Sequence, residues 1–259
     1  MLPLPSLSIV IPAFNEASTI EATVRDAIRV GHDVTDHLEV IVCNDGSSDA
    51  TGQILRELGD TVAPTSSAPT FSELRVIGRL RNRGIEASMR ALYAAARHDW
   101  IFLNSADRQW PMSCLVDLVA AAEVQRADFV IGVRSNKREV YTPYRRLISW
   151  SYERVVRMLG APGGDPGSIK LARRDLLHTA LAARGVFAEG ERVIRAARAG
   201  ARIIEVPVEF HRRGAGKATG ARMPVVATAA LDVVRVAASL VLRVPAPTLP
   251  DPEADKDSR

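Results

Sequence analysis

The feature that most constrains the fold is an alternation of short apolar runs with helical patterns, joined by polar loops. Five apolar runs predict buried strands in the first half of the chain, and a helical pattern follows each. These runs are residues 7–11, 39–43, 74–77, 100–103 and 129–132. Such an alternation predicts an α/β fold with a Rossmann-like, mostly parallel central sheet and helices on both faces.

The second half of the chain is less regular. Helical patterns cover residues 142–159, 175–184 and 189–198. Apolar runs that predict two more strands lie at residues 169–172 and 203–210. Because no internal repeat or long linker divides the chain, we expect one principal domain over residues 1–220. A C-terminal helix over 221–244 and a disordered, Pro-rich and charged tail over 245–259 would follow it.

Residues 223–242 have an apolar helical pattern with a narrow polar stripe. The stripe consists of Thr228, Asp232, Arg235 and Ser239. These residues fall on one face of a helix, where Asp232 and Arg235 are spaced to form an ion pair. The wide apolar face predicts burial, either against the domain or in a membrane interface. Two alternatives therefore remain for residues 223–242: packing against the domain, or peripheral contact with a membrane.

The composition narrows the classes of partner. The chain has 259 residues, 47% of them hydrophobic and 25% charged, which is typical of a soluble globular protein. The net charge of +4 favours anionic partners. Aromatic residues make up only 5%, which offers little for base stacking, so we expect no nucleic-acid partner. Two unpaired-looking cysteines and no signal-peptide pattern predict a cytoplasmic protein, with the inner face of the membrane as a further location.

Polar residues follow the apolar run 100–103 at the point where a strand would end. Asp107 and Gln109 lie two residues apart in this loop. Ligands of open α/β sheets bind at the carboxyl ends of the strands. Oxygen ligands suit Mg²⁺ or Mn²⁺, which take further ligands from a substrate phosphate. The loop therefore predicts a divalent metal site at Asp107 and Gln109, with an ordinary solvated turn as the alternative.

Other charged residues follow the predicted strands. The acidic and amide groups at the strand ends are Glu16, Asp45, Asp107 and Gln109. The cationic groups that come later are Arg134, Arg145, Arg213 and Lys217. Taken singly, each arginine is more often a solvated surface charge. Together with a metal they suit a diphosphate, whose charge must be neutralised as a bond to it breaks.

Several short motifs occur in a fixed order along the chain. The first three are residues 7–16 (LSIVIPAFNE), 44–51 (NDGSSDAT) and 105–111 (SADRQWP). The later ones are residues 144–149, 165–168, 205–208 and 213–217. This ordered set resembles the inverting family 2 glycosyltransferases of the GT-A fold. Within that family it is similar to the dolichol- or polyprenyl-phosphate mannose synthase branch, over residues 7–217.

The resemblance implies an enzyme that transfers a hexose with inversion. The donor would be a nucleotide sugar, GDP-mannose or a UDP-sugar, and the acceptor a polyprenyl phosphate of the dolichyl type. Residues implied to bind the nucleotide sugar are Pro12, Phe14, Glu16, Asn44, Asp45, Ser105, Asp107 and Arg134. Residues implied to act at the reacting phosphates are Asp107, Arg145, Arg213 and Lys217. Asp107 and Gln109 are implied to hold Mg²⁺ or Mn²⁺.

Some positions depart from the family pattern. Ser105 and Asn44 each stand where the family has an aspartate, and Gly216 stands where it has a serine. Ile169-Lys170 stands where Gly-Phe is usual. These departures keep two alternatives open. One is the same fold acting on a soluble acceptor, and the other is a catalytically impaired protein that binds nucleotide sugars.

Overall fold

The computed structural model describes residues 4–61, 71–162, 165, 167–211 and 223–242. The strands in this part of the chain are β1 (Leu7–Ala13), β2 (His37–Asn44), β3 (Phe71–Gly78), β4 (Trp100–Leu103), β5 (Phe129–Arg134), β6 (Lys170–Arg173) and β7 (Ile203–Val208). They form one sheet in the order β3-β2-β1-β4-β6-β5-β7. Of the strands described, only β6 runs antiparallel to its neighbours, β4 and β5. The mostly parallel sheet predicted from the alternation is confirmed.

Helices cover both faces of this sheet, as predicted. They are α1 (Ile20–His32), α2 (Thr51–Thr61), α3 (Ile85–Ala95), α4 (Cys114–Gln125), α5 (Lys137–Val140), α6 (Pro143–Met158), α7 (Arg174–Leu177), α8 (Ala188–Arg198) and α9 (Met223–Val241). Side chains of α1, α2 and α4 belong to the core on one face. Side chains of α3, α6, α8 and α9 belong to the core on the other. The alternating patterning therefore becomes two apolar layers around a buried sheet.

The register of the central strands aligns the loops that carry the motifs. Val10 of β1 lies opposite Leu103 of β4, and Ala13 of β1 lies opposite Asn44 of β2. Because these three strands are parallel and adjacent, their carboxyl ends meet at one edge of the sheet. The loops after β1, β2 and β4 leave the sheet at that edge, where ligands of such folds bind.

The helix predicted over residues 175–184 is wrong beyond its first turn. Helix α7 ends at Leu177, and residues 178–187 continue as a loop. Glu191 of α8 accepts hydrogen bonds from the amides of residues 182 and 183, at 2.9 and 2.7 Å. Asp232 of α9 accepts from the amides of residues 184 and 185, at 3.2 and 2.7 Å. Two buried carboxylates thus satisfy four successive amides that a helix would have bonded to its own carbonyls.

The cap of α2 differs from the one that the loop sequence predicts. Ser47 and Ser48 precede the helix and are residue types that favour a cap, but both hydrogen-bond to Asn15 in the loop after β1. Asp49 caps the helix instead, since its carboxylate accepts a hydrogen bond from the amide of Thr51 at 3.0 Å. The cap is therefore an aspartate two residues before the helix starts.

Helix α9 docks with its polar stripe against the domain. Asp232 is 1% exposed, and Ser239 accepts a hydrogen bond from Arg195 of α8 at 3.1 Å. The predicted ion pair between Asp232 and Arg235 is present, at 2.9 Å. Val236 is fully buried beside the stripe. Part of the apolar surface of the helix is therefore buried on the domain, as the simpler of the two readings predicts.

The remaining apolar surface of α9 faces outward. Leu231 is 58% exposed and Val234 is 66% exposed. Among the residues that the structure describes, no helix has the length and hydropathy needed to span a bilayer. The expected domain boundary near residue 220 and the tail from residue 245 onward lie outside the described residues.

Candidate active site

The loops after β1 and β2 are tied to each other by hydrogen bonds. The amide of Asn15 donates to Ser47 Oγ at 2.9 Å, and the amide of Ser48 donates to Asn15 Oδ1 at 2.8 Å. Asn15 has a left-handed backbone with φ of 55°, a conformation that asparagine tolerates better than most residues. The bonds hold the two motif loops together at the edge of the sheet.

This arrangement places the residues predicted to bind the nucleotide. Pro12 lies opposite Cys43 near the end of β1, and Phe14 is 45% exposed just beyond it. The carboxylate of Glu16 accepts a hydrogen bond from Thr19 at 3.2 Å. Asn44 uses its side-chain oxygen to accept from the amide of Ser47, at 3.2 Å. An exposed aromatic ring at this edge is accessible to a ligand, so Phe14 remains a predicted nucleotide contact.

Asp45 is a buried acceptor that organises the neighbouring loop. It is 3% exposed and pairs with Arg79 at 3.0 Å. It also accepts hydrogen bonds from the amides of Arg83 and Gly84, at 3.0 and 2.8 Å. These bonds fix the segment that leads into α3. The structure therefore gives Asp45 a positioning role, while its contact with a nucleotide stays a prediction.

The loop after β4 brings Ser105, Asp107 and Gln109 into one turn. Ser105 Oγ donates to Asp107 Oδ1 at 2.5 Å, and the amide of Gln109 donates to the same oxygen at 3.2 Å. The side-chain nitrogen of Gln109 donates to the carbonyl of His211 at 3.2 Å. The amide of His211 in turn donates to the carbonyl of Gln109 at 2.8 Å. This pair of bonds ties the turn to the chain that leaves β7.

The side-chain oxygens of this turn fit a hard divalent cation. The side-chain nitrogen of Gln109, which is not a metal ligand, donates to the carbonyl of His211, so the side-chain oxygen is the atom that would bind a metal. Asp107 contributes a carboxylate two residues away. Within the described part of the chain, no group of three or more His, Cys, Asp or Glu side chains is placed to hold a metal. Further ligands would come from a substrate diphosphate and from water, as is usual for Mg²⁺.

A cavity of about 270 Å³ adjoins this turn. It is lined by Thr23, Asp26, Ser105, Arg108, Trp110, Pro111, Met112 and His211. Arg108 pairs with Asp26 at 3.0 Å, and Thr23 donates to the carbonyl of Ala106 at 3.2 Å. These contacts attach the turn to α1, which forms part of the cavity wall.

Arg134 lies at the end of β5 within a group of aromatic rings. Its guanidinium carbon is 4.7 Å from the ring centre of Trp110 and 4.4 Å from that of Phe210. It forms an ion pair with Asp165, the first residue of the motif at residues 165–168. Trp110 directly follows Gln109, so the packing brings Arg134 next to the predicted metal turn. No local sequence pattern predicts these aromatic contacts, because the rings of Trp110 and Phe210 are 24 and 76 residues away from Arg134 in the chain.

Arg145 joins the same group through Tyr141. Its guanidinium carbon is 4.2 Å from the ring centre of Tyr141, and that of Arg134 is 5.7 Å from the same ring. Arg145 stands in the first turn of α6, where Thr142 caps the helix and Pro143 begins it. Lys137 lies 3.7 Å from Asp165 and so adds a third cation to the cluster. Two arginines predicted at separate positions thus flank one tyrosine.

The structure brings together most of the predicted site residues. Those after β1, β2 and β4 share one edge of the sheet, and Arg134 connects to that edge through Trp110. Arg145 connects to Arg134 through Tyr141. Arg213 and Lys217 lie outside the described residues, so their predicted roles stay predictions.

A buried charge network on the α3 and α8 face was not predicted from the sequence. Lys170 of β6 is fully buried and pairs with Glu189 of α8, which also pairs with Arg192. Arg192 lies 3.7 Å from Glu86 of α3. Burial raises the pKa of Glu86 to about 7, although Arg192 opposes the rise. Lys170 is one of the departures from the family pattern, and its partner in helix α8 accounts for a lysine inside the core.

The comparison with known families agrees with the motifs and the fold. Residues 8–180 match the family model described as Glycosyl transferase family 2. The chain therefore belongs to this family, and the resemblance stated from the motifs is confirmed.

Two curated relatives come from Pseudomonas. Undecaprenyl-phosphate 4-deoxy-4-formamido-L-arabinose transferase of Pseudomonas savastanoi pv. phaseolicola (strain 1448A / Race 6) is 29% identical over 184 residues. The protein of the same name from Pseudomonas fluorescens (strain Pf0-1) is also 29% identical over 184 residues. Each match covers 70% of this chain and 51% of the relative. The chain thus spans about half the length of these relatives.

Solved structures show the same fold. Glucosyl-3-phosphoglycerate synthase from Mycobacterium tuberculosis, in complex with Mn²⁺, uridine diphosphate and glucosyl-3-phosphoglycerate, aligns with a TM-score of 0.61 and 20% identity. The alignment covers 94% of this chain and 81% of that one. Its complex with uridine diphosphate aligns with a TM-score of 0.64 and 18% identity, over 90% and 80% of the chains. At this identity the likeness concerns the fold, which is the GT-A fold expected from the motifs.

Proposed function

We propose that this domain transfers a hexose, with inversion, from a nucleotide sugar to a polyprenyl phosphate. The observation that carries the proposal is the contact between two parts of the site. The turn of Asp107 and Gln109 lies at the carboxyl end of β4. Arg134 and Arg145, here called the arginine cluster, reach this turn through the contact of Arg134 with Trp110. An oxygen-ligand turn beside clustered cations suits a reaction between two phosphate-bearing substrates.

The donor half of the site would be formed by the loops after β1, β2 and β4. Phe14 offers an exposed ring to the nucleotide, and Ser105 lies beside the turn and the cavity. Asp107 and Gln109 would hold Mg²⁺ or Mn²⁺ against the donor diphosphate. When bound, such an ion supplies neutralisation of the charge that develops on the leaving nucleoside diphosphate.

The acceptor half would be formed by Arg145, next to Arg134 on the side of the donor phosphates. An oxygen of the acceptor phosphate attacks the anomeric carbon, and the bond from that carbon to the diphosphate breaks as the new one forms. Because the nucleophile is already ionised at neutral pH, the reaction needs no strong general base. Arg134 and Arg145 offset the repulsion between the two anions, and Arg145 orients the attacking phosphate. Arg213 and Lys217 are proposed to share this role.

The names of the two Pseudomonas relatives support the choice of acceptor class. Both names specify undecaprenyl phosphate, a polyprenyl phosphate. The outward apolar surface of α9, which includes Leu231 and Val234, fits a domain that meets its acceptor at a membrane. We therefore propose peripheral membrane contact through residues 223–242.

A transfer assay with labelled nucleotide sugars tests the proposal. Wild-type protein is incubated with Mn²⁺ and either a polyprenyl phosphate or a soluble phosphate such as 3-phosphoglycerate. We expect label in the lipid phase, with loss of at least 100-fold in the Asp107→Asn variant and on chelation of the metal. Asp36→Asn, at an exposed position away from the site, serves as the matched control.

The other outcomes would assign a different function. Transfer to the soluble phosphate alone would replace the lipid acceptor with a small metabolite. Binding of nucleotide sugars without transfer to any acceptor would indicate a catalytically impaired member of the family. Equal activity of wild type and Asp107→Asn would contradict the assigned metal turn.

A further inference from the structure

Helix α6 carries an outer face of an unusual composition. Its exposed apolar and aromatic side chains are Tyr144, Leu147, Trp150 and Met158. Leu147 is 60% exposed, Trp150 61% and Met158 76%, so three large apolar groups face the solvent on one helix. Spacings of three and eight residues place these three on one side of the helix. Large apolar groups gathered in this way mark an interaction surface.

The charged residues on this face are all basic. Arg146, Arg154 and Arg157 are exposed around the apolar groups. Glu153, the only acidic residue of α6, is turned toward Lys137 and Ser149, to which it is bonded at 2.5 and 3.0 Å. The outer face of α6 therefore combines apolar anchors with net positive charge. This combination fits the boundary between acyl chains and anionic headgroups.

The inner side of α6 holds the helix in a fixed position on the domain. Val156 is fully buried, and the ring of Tyr152 packs edge-on against Phe187 with the ring centres 5.3 Å apart. Tyr152 also accepts a hydrogen bond from the amide of Gly190 at 3.2 Å. The first turn of α6 carries Arg145, which belongs to the arginine cluster of the site. One end of the proposed surface thus begins at the candidate active site.

We infer that the outer face of α6 is a docking surface for a bilayer that contains anionic phospholipids. Trp150, Leu147 and Met158 enter the headgroup boundary, and Arg146, Arg154 and Arg157 contact the phosphates. The arrangement keeps the arginine cluster at the depth of the headgroups, where the phosphate of a lipid acceptor lies. The inference rests on the proposed lipid-phosphate acceptor, and it names a surface other than α9.

Vesicle flotation without any polyprenyl phosphate tests the surface separately from the activity. Wild-type protein is mixed with vesicles of phosphatidylcholine alone or with phosphatidylglycerol added. We expect binding that requires phosphatidylglycerol and weakens as salt is raised. The double variant Leu147→Glu, Trp150→Glu should bind at least tenfold more weakly. Val124→Glu, at an 82% exposed position on α4 across the sheet, is the control and should bind as wild type does.

The arginines have their own matched pair of variants. Arg154→Gln with Arg157→Gln should weaken binding by about fivefold for each charge removed. Arg25→Gln with Arg29→Gln removes the same charge from exposed positions on α1, on the opposite face of the sheet. This second pair should have a much smaller effect. Equal losses in the two pairs would overturn the inference, because net charge rather than α6 would then explain the binding.

Further results distinguish a failure of the surface from a failure of the function. No binding of wild type, or full binding of the Leu147, Trp150 double variant, would overturn the inference. A wild-type dimer in analytical ultracentrifugation that becomes a monomer in the Leu147→Glu, Trp150→Glu variant would also overturn the inference. The outer face of α6 would then bind a second copy of the chain. Transfer to a short, water-soluble prenyl phosphate should be equal in wild type and double variant. Its absence from both, with vesicle binding intact, would instead count against the proposed function.

Discussion

Replacing Asp232 with alanine should release α9 and the loop before α8 together. The carboxylate accepts hydrogen bonds from the amides of Arg184 and Gly185, at 3.2 and 2.7 Å, and pairs with Arg235 at 2.9 Å. Both bonds are partly buried, and an amide left without an acceptor away from water costs about 1–3 kcal/mol. The pair with Arg235 adds little, because that side chain is 47% exposed. We therefore expect the free energy of unfolding to fall by roughly 2–6 kcal/mol.

Urea unfolding followed by circular dichroism measures this loss, and hydrogen exchange locates it. The amide of Gly185 should lose most of its protection in Asp232→Ala, while amides of β1 and β4 should keep theirs. Asp36→Ala, at an exposed position, should change stability by less than about 0.5 kcal/mol. A loss in Asp232→Ala no larger than in this control, or unchanged protection of Gly185, would refute the proposed role of Asp232.

Two further variants test the buried charges. Burial raises the pKa of Glu86 from 4.5 to about 7, so between these values the native state binds more protons than the unfolded state, and stability falls as pH rises. Glu86→Gln should remove this trend, which amounts to a fall of roughly 3 kcal/mol in the free energy of unfolding across that pH range, measured by urea titration. The same pH dependence in wild type and variant would contradict the raised pKa of Glu86. Arg134→Lys keeps the charge but loses the planar contacts with Trp110 and Phe210, worth up to about 2 kcal/mol when shielded from water. Arg134→Lys should lower both the melting temperature and kcat/KM. The control Arg29→Lys, at a 66% exposed side chain, should lower neither. Equal effects of the two variants would contradict the proposed role of Arg134.

Most of the sheet was predictable because its signals are local. The run at residues 100–103 is the strand β4 at the same bounds, since apolar residues between polar loops leave little choice. The antiparallel direction of β6 was not predictable from residues 169–172 alone. It depends on pairing with β4 and β5, which lie about 70 and 40 residues earlier in the chain.

The failure of the helix prediction at residues 178–184 has a specific physical cause. The sequence favours a helix there, but Glu191 and Asp232 bond to the amides and hold the segment as a loop. Glu191 lies 8 or 9 residues after the amides that it accepts from, and Asp232 lies 47 or 48 residues after its own. The local sequence pattern therefore does not reveal that these carboxylates compete with helix formation.

The candidate site divides in the same way. The turn of Asp107 and Gln109 was found from the sequence, because polar residues at a strand end mark a ligand edge in this class of fold. The meeting of Arg134 and Arg145 at Tyr141 depends on tertiary packing. The buried pair of Lys170 and Glu189 also depends on tertiary packing. This pair explains why a lysine can stand at position 170, where the family pattern has an apolar residue.

The central claim is that the edge around Asp107 binds a nucleotide sugar with a divalent metal. Calorimetric titration with guanosine and uridine diphosphates and their sugars, with and without Mn²⁺, tests it most directly. We predict saturable binding of one nucleotide that depends on Mn²⁺ and is at least tenfold weaker in Asp107→Asn. Absence of binding for every nucleotide, or binding to which neither Mn²⁺ nor Asp107 contributes, would contradict it.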